Sequence, residues 1–236
     1  MSESSGVGGR GCCGRRREPG ECRPARGSGV GVAETGSGIG GRRSCCAIFA
    51  ATKHTNVRAT RGLILSSSPR RGGKSARLCD EFLRGAAEAG HQVEKIFLRD
   101  CTIHYCTGCG LCSREGRPCP QQDDAARIIE KMVCADVIVM ASPVYFYTMS
   151  AQMKTLIDRS CARYTEISGK EFYLLLTAAE PDRQLMLRTV DTFQGFFDCL
   201  EEAHLRRSIL CPGVWNVGEI EGHAALQEAC EAGRNC

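Results

Sequence analysis

No stretch of the 236-residue chain is apolar over the roughly 20 residues that a bilayer-crossing helix needs. An integral helical membrane protein is therefore excluded. The N-terminus also lacks the continuous apolar core of a secretory signal, so a cytoplasmic protein is expected. A basic excess is missing where it would matter. The formal net charge is +4, but residues 1–60 hold nine Arg and one Lys against four Glu, which leaves 21 basic and 23 acidic residues for the rest. That remainder offers no electrostatic basis for binding nucleic acid. No internal repeat is visible, which argues against a solenoid. What the chain has in plenty is cysteine, with seventeen residues. At this length, and with no signal sequence expected, clustered thiols point to metal binding or redox chemistry rather than a disulfide scaffold.

Residues 1–60 read as a disordered Gly-, Arg- and Cys-rich extension. They hold too little apolar surface to offset the entropy of ordering. Gly36-Ser37-Gly38-Ile39-Gly40-Gly41 matches G-x-G-x-x-G, yet it neither follows a strand nor opens a helix, so a dinucleotide fingerprint is not read there. The pairs Cys12-Cys13 and Cys45-Cys46 lack metal-site spacing and are taken as incidental.

From Arg61 to the end, residues 61–236 read as one domain of alternating strands and helices. Strands are expected at Gly62–Leu65, Gln92–Leu98, Asp136–Ala141, Phe172–Thr177 and Leu205–Leu210. Between them, apolar positions recur at helical spacing: Leu78, Phe82 and Ala86; Ile128, Ile129, Met132 and Val133; Met153, Leu156 and Ile157. A long helix is expected over Gln184–Ala203, and a closing one over His223–Ala232. Runs such as DVIVMA and FYLLLT suit strands covered on both faces. This pattern predicts an α/β fold, a doubly wound five-stranded parallel sheet.

The first strand runs into SSSPRRGGKS, a small-residue loop opening a helix near Ser75. Such a loop aims backbone N–H groups and hydroxyls at one point, which suits a phosphate. It is close to a nucleotide-triphosphate P-loop, but Ser68 stands where that motif requires Gly. The later strands also end in Ala141-Ser142-Pro143 and Thr177-Ala178-Ala179, with no Asp to hold magnesium. In a sheet of order 2-1-3-4-5 the loops after strands one and three meet at the switch point, where ligands bind. The second of these loops carries Pro143, Val144, Tyr145, Phe146 and Tyr147. A phosphate clamp beside an aromatic wall suits FMN.

Between these loops lies Cys106-x2-Cys109-x2-Cys112-x6-Cys119. Four thiolates on one short loop suit a [4Fe–4S] cluster or zinc, and the same thiols could be unoccupied or redox-sensing. Cys79, Cys134, Cys161, Cys199 and Cys230 fall in helical patterns and are read as small apolar residues.

Together SSSPRRGGKS, the cysteine loop and SPVYFYTMSAQMKTLIDR resemble the NAD(P)H-dependent FMN reductase and iron–sulfur flavoprotein group of the flavodoxin-like superfamily. The resemblance covers about Arg61 to Asn235. It implies that Ser68, Arg70, Lys74 and Ser75, with Ser66 at the head of the loop, hold the FMN phosphate. Lys74 departs from the pattern, which carries Asn at that place. The resemblance also implies ring contacts from Pro143, Val144, Tyr145 and Phe146, with Tyr147 beside them, and a third side closed by Thr177 and Ala178. It favours a [4Fe–4S] cluster on Cys106, Cys109, Cys112 and Cys119, and a homodimer or homotetramer with contacts near Pro212–Ile220. The implied activity is hydride transfer from NAD(P)H to FMN, and then to flavin, a quinone or a partner, with the cofactor carrying the chemistry. The alternative is an FMN and iron–sulfur electron carrier without NAD(P)H turnover.

Overall fold

The structure, a computed structural model, describes residues 59–112 and 117–236. The readings made for residues 1–58, including the disordered extension, lie outside the described residues. The elements are β1 Arg61–Ser66, α1 Lys74–Glu88, β2 Gln92–Phe97, a 3-10 turn at Leu98–Asp100, α2 Ala125–Cys134, β3 Val137–Pro143 and α3 Ala151–Arg159. After 3-10 turns at Ser160–Ala162 and Tyr164–Glu166 come β4 Glu171–Thr177, α4 Arg183–Phe197, β5 His204–Cys211 and α5 Ala224–Arg234. The five strands form one parallel sheet in the order β2-β1-β3-β4-β5, the expected flavodoxin-like topology.

The apolar runs fall where the sheet is covered on both faces. Val137 to Ser142 on β3 and Phe172 to Thr177 on β4 are all buried, whereas the edge strand β5 is exposed over its polar first half. Alternation along the strands divides the core in two. Leu63, Leu65, Ile138 and Met140 meet α2, α3 and α4 through Ile128, Met153, Leu156 and Phe193. Ile64, Val139 and Leu175 meet α1 and α5 through Leu78, Phe82, Ala225 and Ala229.

α1 and α5 nearly touch backbone to backbone. A Cβ added to Gly85 would lie 1.9 Å from the Cys230 carbonyl oxygen, and one on Gly233 would lie 2.0 Å from that of Phe82. α1 then stops in a Schellman turn, with Gly90 at φ +82° and the His91 N–H donating to the Ala86 carbonyl at 2.9 Å. α4 ends at Phe197, short of the expected Ala203. The pairing of β5 with β4 decides this. The His204 N–H donates to the Lys170 carbonyl and the Gly169 N–H to that of Glu201, so the chain turns through Glu202 at φ +52°.

Candidate functional site

The carboxyl ends of β1, β3 and β4 open on one cleft, whose first wall is the loop from Ser67 to Gly73. Buried serines pin it to β3. The Ser67 N–H and hydroxyl both donate to the Ala141 carbonyl, at 2.9 and 3.0 Å. The Ser150 hydroxyl donates to that of Ser67 at 2.8 Å, and the Ser150 N–H donates to the Ser142 hydroxyl at 2.9 Å. At the loop's far end Gly73 is the N-cap of α1. It supplies no side-chain cap, and no acidic residue stands in the first turn. The Ala76 N–H donates to the Gly73 carbonyl at 2.9 Å, which leaves the N–H groups of the cleft-lining Lys74 and Ser75 without an intrahelical acceptor. A Cβ on Gly73 would come within 3.1 Å of the Ser68 hydroxyl and 3.3 Å of the Arg70 Cβ, filling the cradle between them. A phosphate-sized anion fits this donor set.

The second wall is Pro143, Val144 and Tyr145. Tyr145 and Thr148 exchange backbone hydrogen bonds at 3.0 and 3.1 Å and close a two-residue hairpin. Its tip residues Phe146 and Tyr147 hold left-handed backbone, φ +49° and +59°. Neither lines the cleft as placed. Phe146 is fully exposed, and the Tyr147 hydroxyl donates to Glu180 at 3.3 Å. The third wall is Thr177, Ala178 and Ala179. The Thr177 and Ser75 hydroxyls share a hydrogen bond of 2.9 Å, which ties β4 to the start of α1.

Ser68, Arg70, Lys74 and Ser75 thus line one cleft with Pro143, Val144, Tyr145, Thr177 and Ala178. Ser66 does not line it; it is fully buried in β1 beneath the loop. Sequence reasoning missed Gly73 and Ala179, and also a fourth wall, Val214 and Trp215. Trp215 belongs to the segment expected at a dimer contact, and here it is a mostly exposed rim of the cleft. The Lys74 ammonium reaches across to donate to the Trp215 carbonyl at 2.6 Å. Glu219 holds that loop from behind, accepting the Trp215 and Asn216 N–H groups at 2.5 Å each.

The cysteine loop leaves the same end of the sheet. It is stitched to the phosphate loop by Arg99, which donates to the Arg70 carbonyl at 3.1 Å, and by an Arg71–Asp100 pair at 2.8 Å. Its two ends meet where the Thr102 N–H donates to Asp124 at 2.8 Å and the Asp124 N–H donates back to the Thr102 carbonyl at 3.0 Å. The Asp123 side chain is fully buried, receiving the His104 N–H at 2.9 Å, the Ala125 N–H at 3.0 Å and the Arg159 guanidinium at 2.5 Å. Burial alone raises this carboxyl's pKa. The Arg159 hydrogen bond and the two backbone donors outweigh it and hold the pKa down at about 2.

Cys106 and Cys109 are exposed, while Cys112 and Cys119 are half-buried. The Gly108 N–H donates to the Cys106 sulfur at 3.4 Å, and the Arg159 guanidinium to the Cys119 sulfur at 3.5 Å. Such donors suit thiolate ligands, whose sulfurs accept hydrogen bonds. The sulfurs themselves are not gathered. Among the described residues, no group of three or more His, Cys, Asp or Glu could hold a metal ion as placed. Thiols do not attract one another without a cation. The donor set fits a cluster in the chemistry of its four thiols.

The remaining cysteines divide. Cys79 and Cys230 are buried, and burial pushes Cys79 up to about 12. Cys161 and Cys199, read as small apolar residues within helices, are exposed, and they lie beyond the ends of α3 and α4 at Arg159 and Phe197. Both face a groove shared with Cys106.

Over 96 residues the chain is 46% identical to an iron–sulfur flavoprotein of Methanocaldococcus jannaschii, a match covering 41% of this chain and 49% of that protein. It is 40% identical over 92 residues to an iron–sulfur flavoprotein of Archaeoglobus fulgidus, covering 39% and 41%. The chain thus spans about half the length, or less, of these relatives. Among solved structures, an NAD(P)H:quinone oxidoreductase from Methanothermobacter marburgensis superposes with a TM-score of 0.61. It shares 19% identity, over 75% of this chain and 97% of that one, a likeness of fold. The model of the NADPH-dependent FMN reductase family matches residues 60–208, from before β1 into β5 and more than half of the chain, and the chain belongs to that family.

Proposed function

We propose that the cleft binds FMN and that the protein is an oxidoreductase passing electrons from NAD(P)H to flavin, a quinone or a partner protein. The observation that supports this most is the uncapped start of α1, whose Gly73 cradle faces the apolar wall of Pro143, Val144 and Tyr145. Bound FMN supplies hydride acceptance and electron release. The chain supplies position. The Ser68 and Ser75 hydroxyls and the first N–H groups of α1 hold the phosphate, and Arg70 and Lys74 add positive charge beside it. Pro143 to Tyr145 carry the ring, with Thr177 and Ala178 along its edge. The Lys74 bridge to the Trp215 carbonyl holds the fourth wall against the bound molecule.

The four-cysteine loop is proposed to take a [4Fe–4S] cluster on Cys106, Cys109, Cys112 and Cys119. Support comes from the donors aimed at Cys106 and Cys119 and from the iron–sulfur relatives. The exposed Trp215 and Val217 suit the contact of a homodimer or homotetramer, which sedimentation would detect. Anaerobic titration of the purified protein tests the main reading. Bleaching of a yellow flavin band by NADH or NADPH is expected. Bleaching by ferredoxin or dithionite alone would make the protein an electron carrier, and a colourless protein would defeat the FMN reading.

A further inference from the structure

We propose that Arg159 is a positioning residue for the four-cysteine loop: its guanidinium, buried against Asp123, clasps both ends of the loop and presents an N–H donor to Cys119. The inference rests on the cluster reading above and says which side chain would hold the ligand set in register.

The geometry is specific. Arg159 is the last residue of α3, a helix anchored through the buried Met153 and Leu156, so the clasp has a rigid base. One terminal nitrogen, Nη1, donates to the His104 carbonyl at 2.8 Å and to Asp123 Oδ2 at 2.5 Å. The other, Nη2, donates to Asp123 Oδ1 at 3.1 Å and to the Cys119 sulfur at 3.5 Å. His104 stands two residues before Cys106, and Asp123 four residues after Cys119. One planar fork thus touches the incoming strand, the outgoing strand and a thiol together. A lysine ammonium, a single point charge, cannot span all three.

Burial makes the arrangement costly. The two side chains are 2% and 0% exposed, and the Arg159 Nε is buried without a hydrogen-bond partner. A buried ion pair is often no more stabilising than apolar residues of the same volume. Its value here lies in geometry. It ties the Cys119 sulfur to the chain on either side of the loop, at His104 and Asp123.

The test uses full-length protein purified anaerobically, with iron and FMN counted per chain and amide hydrogen exchange followed over residues 102–112 and 117–124. In the double variant Asp123→Asn with Arg159→Met, neither charge is left stranded. FMN per chain is expected to stay at the wild-type level, while iron retention falls by about tenfold and exchange in the loop quickens. Arg159→Lys keeps the pair with Asp123 and loses the contact to sulfur. It is expected to keep its iron and to show a lower midpoint potential, because hydrogen bonds to sulfur favour the reduced state. Wild-type iron and exchange in the double variant would overturn the proposal, as would an unmoved potential in Arg159→Lys. If the double variant also loses FMN, the fold has failed and Arg159→Lys decides. A wild-type protein without iron, whose loop still loosens in the double variant, would defeat the cluster reading and support the clasp.

Discussion

Replacing Gly85 by alanine tests how α1, the helix that presents the phosphate cradle, is held. The added methyl would sit 1.9 Å from the Cys230 carbonyl oxygen and 2.8 Å from its carbon, where ordinary contact begins at 3.4 Å. The obstacle is backbone, which cannot swing aside as a side chain can. α1 and α5 must part by about 1.5 Å along a seam packed by Phe82, Ala225, Ala229 and Ala232, and overpacking of this kind costs about 1–3 kcal/mol or more. For a domain of this size each kcal/mol lowers Tm by about 2–4 °C, so a fall of roughly 2–12 °C is expected. Gly195 on α4 is the internal control. It is exposed, with nothing within 4 Å of a new Cβ. There the same substitution removes only backbone freedom from the unfolded chain and should stabilise by about 0.5–1 kcal/mol. Calorimetry on the two variants reads opposite signs from one chemical change. A Gly85→Ala protein that melts with the wild type would refute the close approach of the two helices and the placement of α1.

Three further outcomes are expected. Gly73→Ala fills the cradle without backbone strain, since φ is −71°, so the protein should fold normally yet bind FMN about tenfold more weakly, a loss of about 1.4 kcal/mol, with riboflavin affinity little changed; fluorescence titration of both ligands checks it. The Asp123 pKa lies below its ordinary 3.8, so its contribution of about 2 kcal/mol is present above pH 4 and lost as pH falls toward 2; in urea melts, wild type should exceed Asp123→Asn at pH 5 and lose that margin near pH 2. Alkylation of the native protein at pH 8 should modify the exposed Cys161 and Cys199 and spare Cys79 and Cys211, both buried and pushed up to about 12, as peptide masses would show.

Much of the fold was legible because its signals are local. Apolar runs without alternation mark β3 and β4, and three-four spacing marks α1 to α3. Element ends were less legible where distant pairing set them, as at Phe197, where the demands of β5 stop a helix whose apolar stripe continues to the buried Leu200. The cleft followed the same rule. Its phosphate loop and first aromatic wall sit beside recognisable turn chemistry. Val214 and Trp215 arrive from the end of β5, with nothing nearby in sequence to announce them. Phe146 and Tyr147 stand off the cleft lining at a hairpin tip whose left-handed backbone no glycine foreshadows. Arg159 reads in sequence as an ordinary basic residue closing a helix, and only the fold sets it against Asp123.

The division of the core by the sheet bears on how such a chain can drift over generations. The cradle belongs to a helix seated in one apolar layer, and the clasp of the cysteine loop to a helix seated in the other. A lineage could lose its cysteines, relax Asp123 and Arg159 to apolar residues and shorten the loop while leaving the packing of α1 on α5 undisturbed. The layered architecture thus makes the cysteine loop separable in inheritance from the cleft, and relatives that share the cradle need not share the thiols.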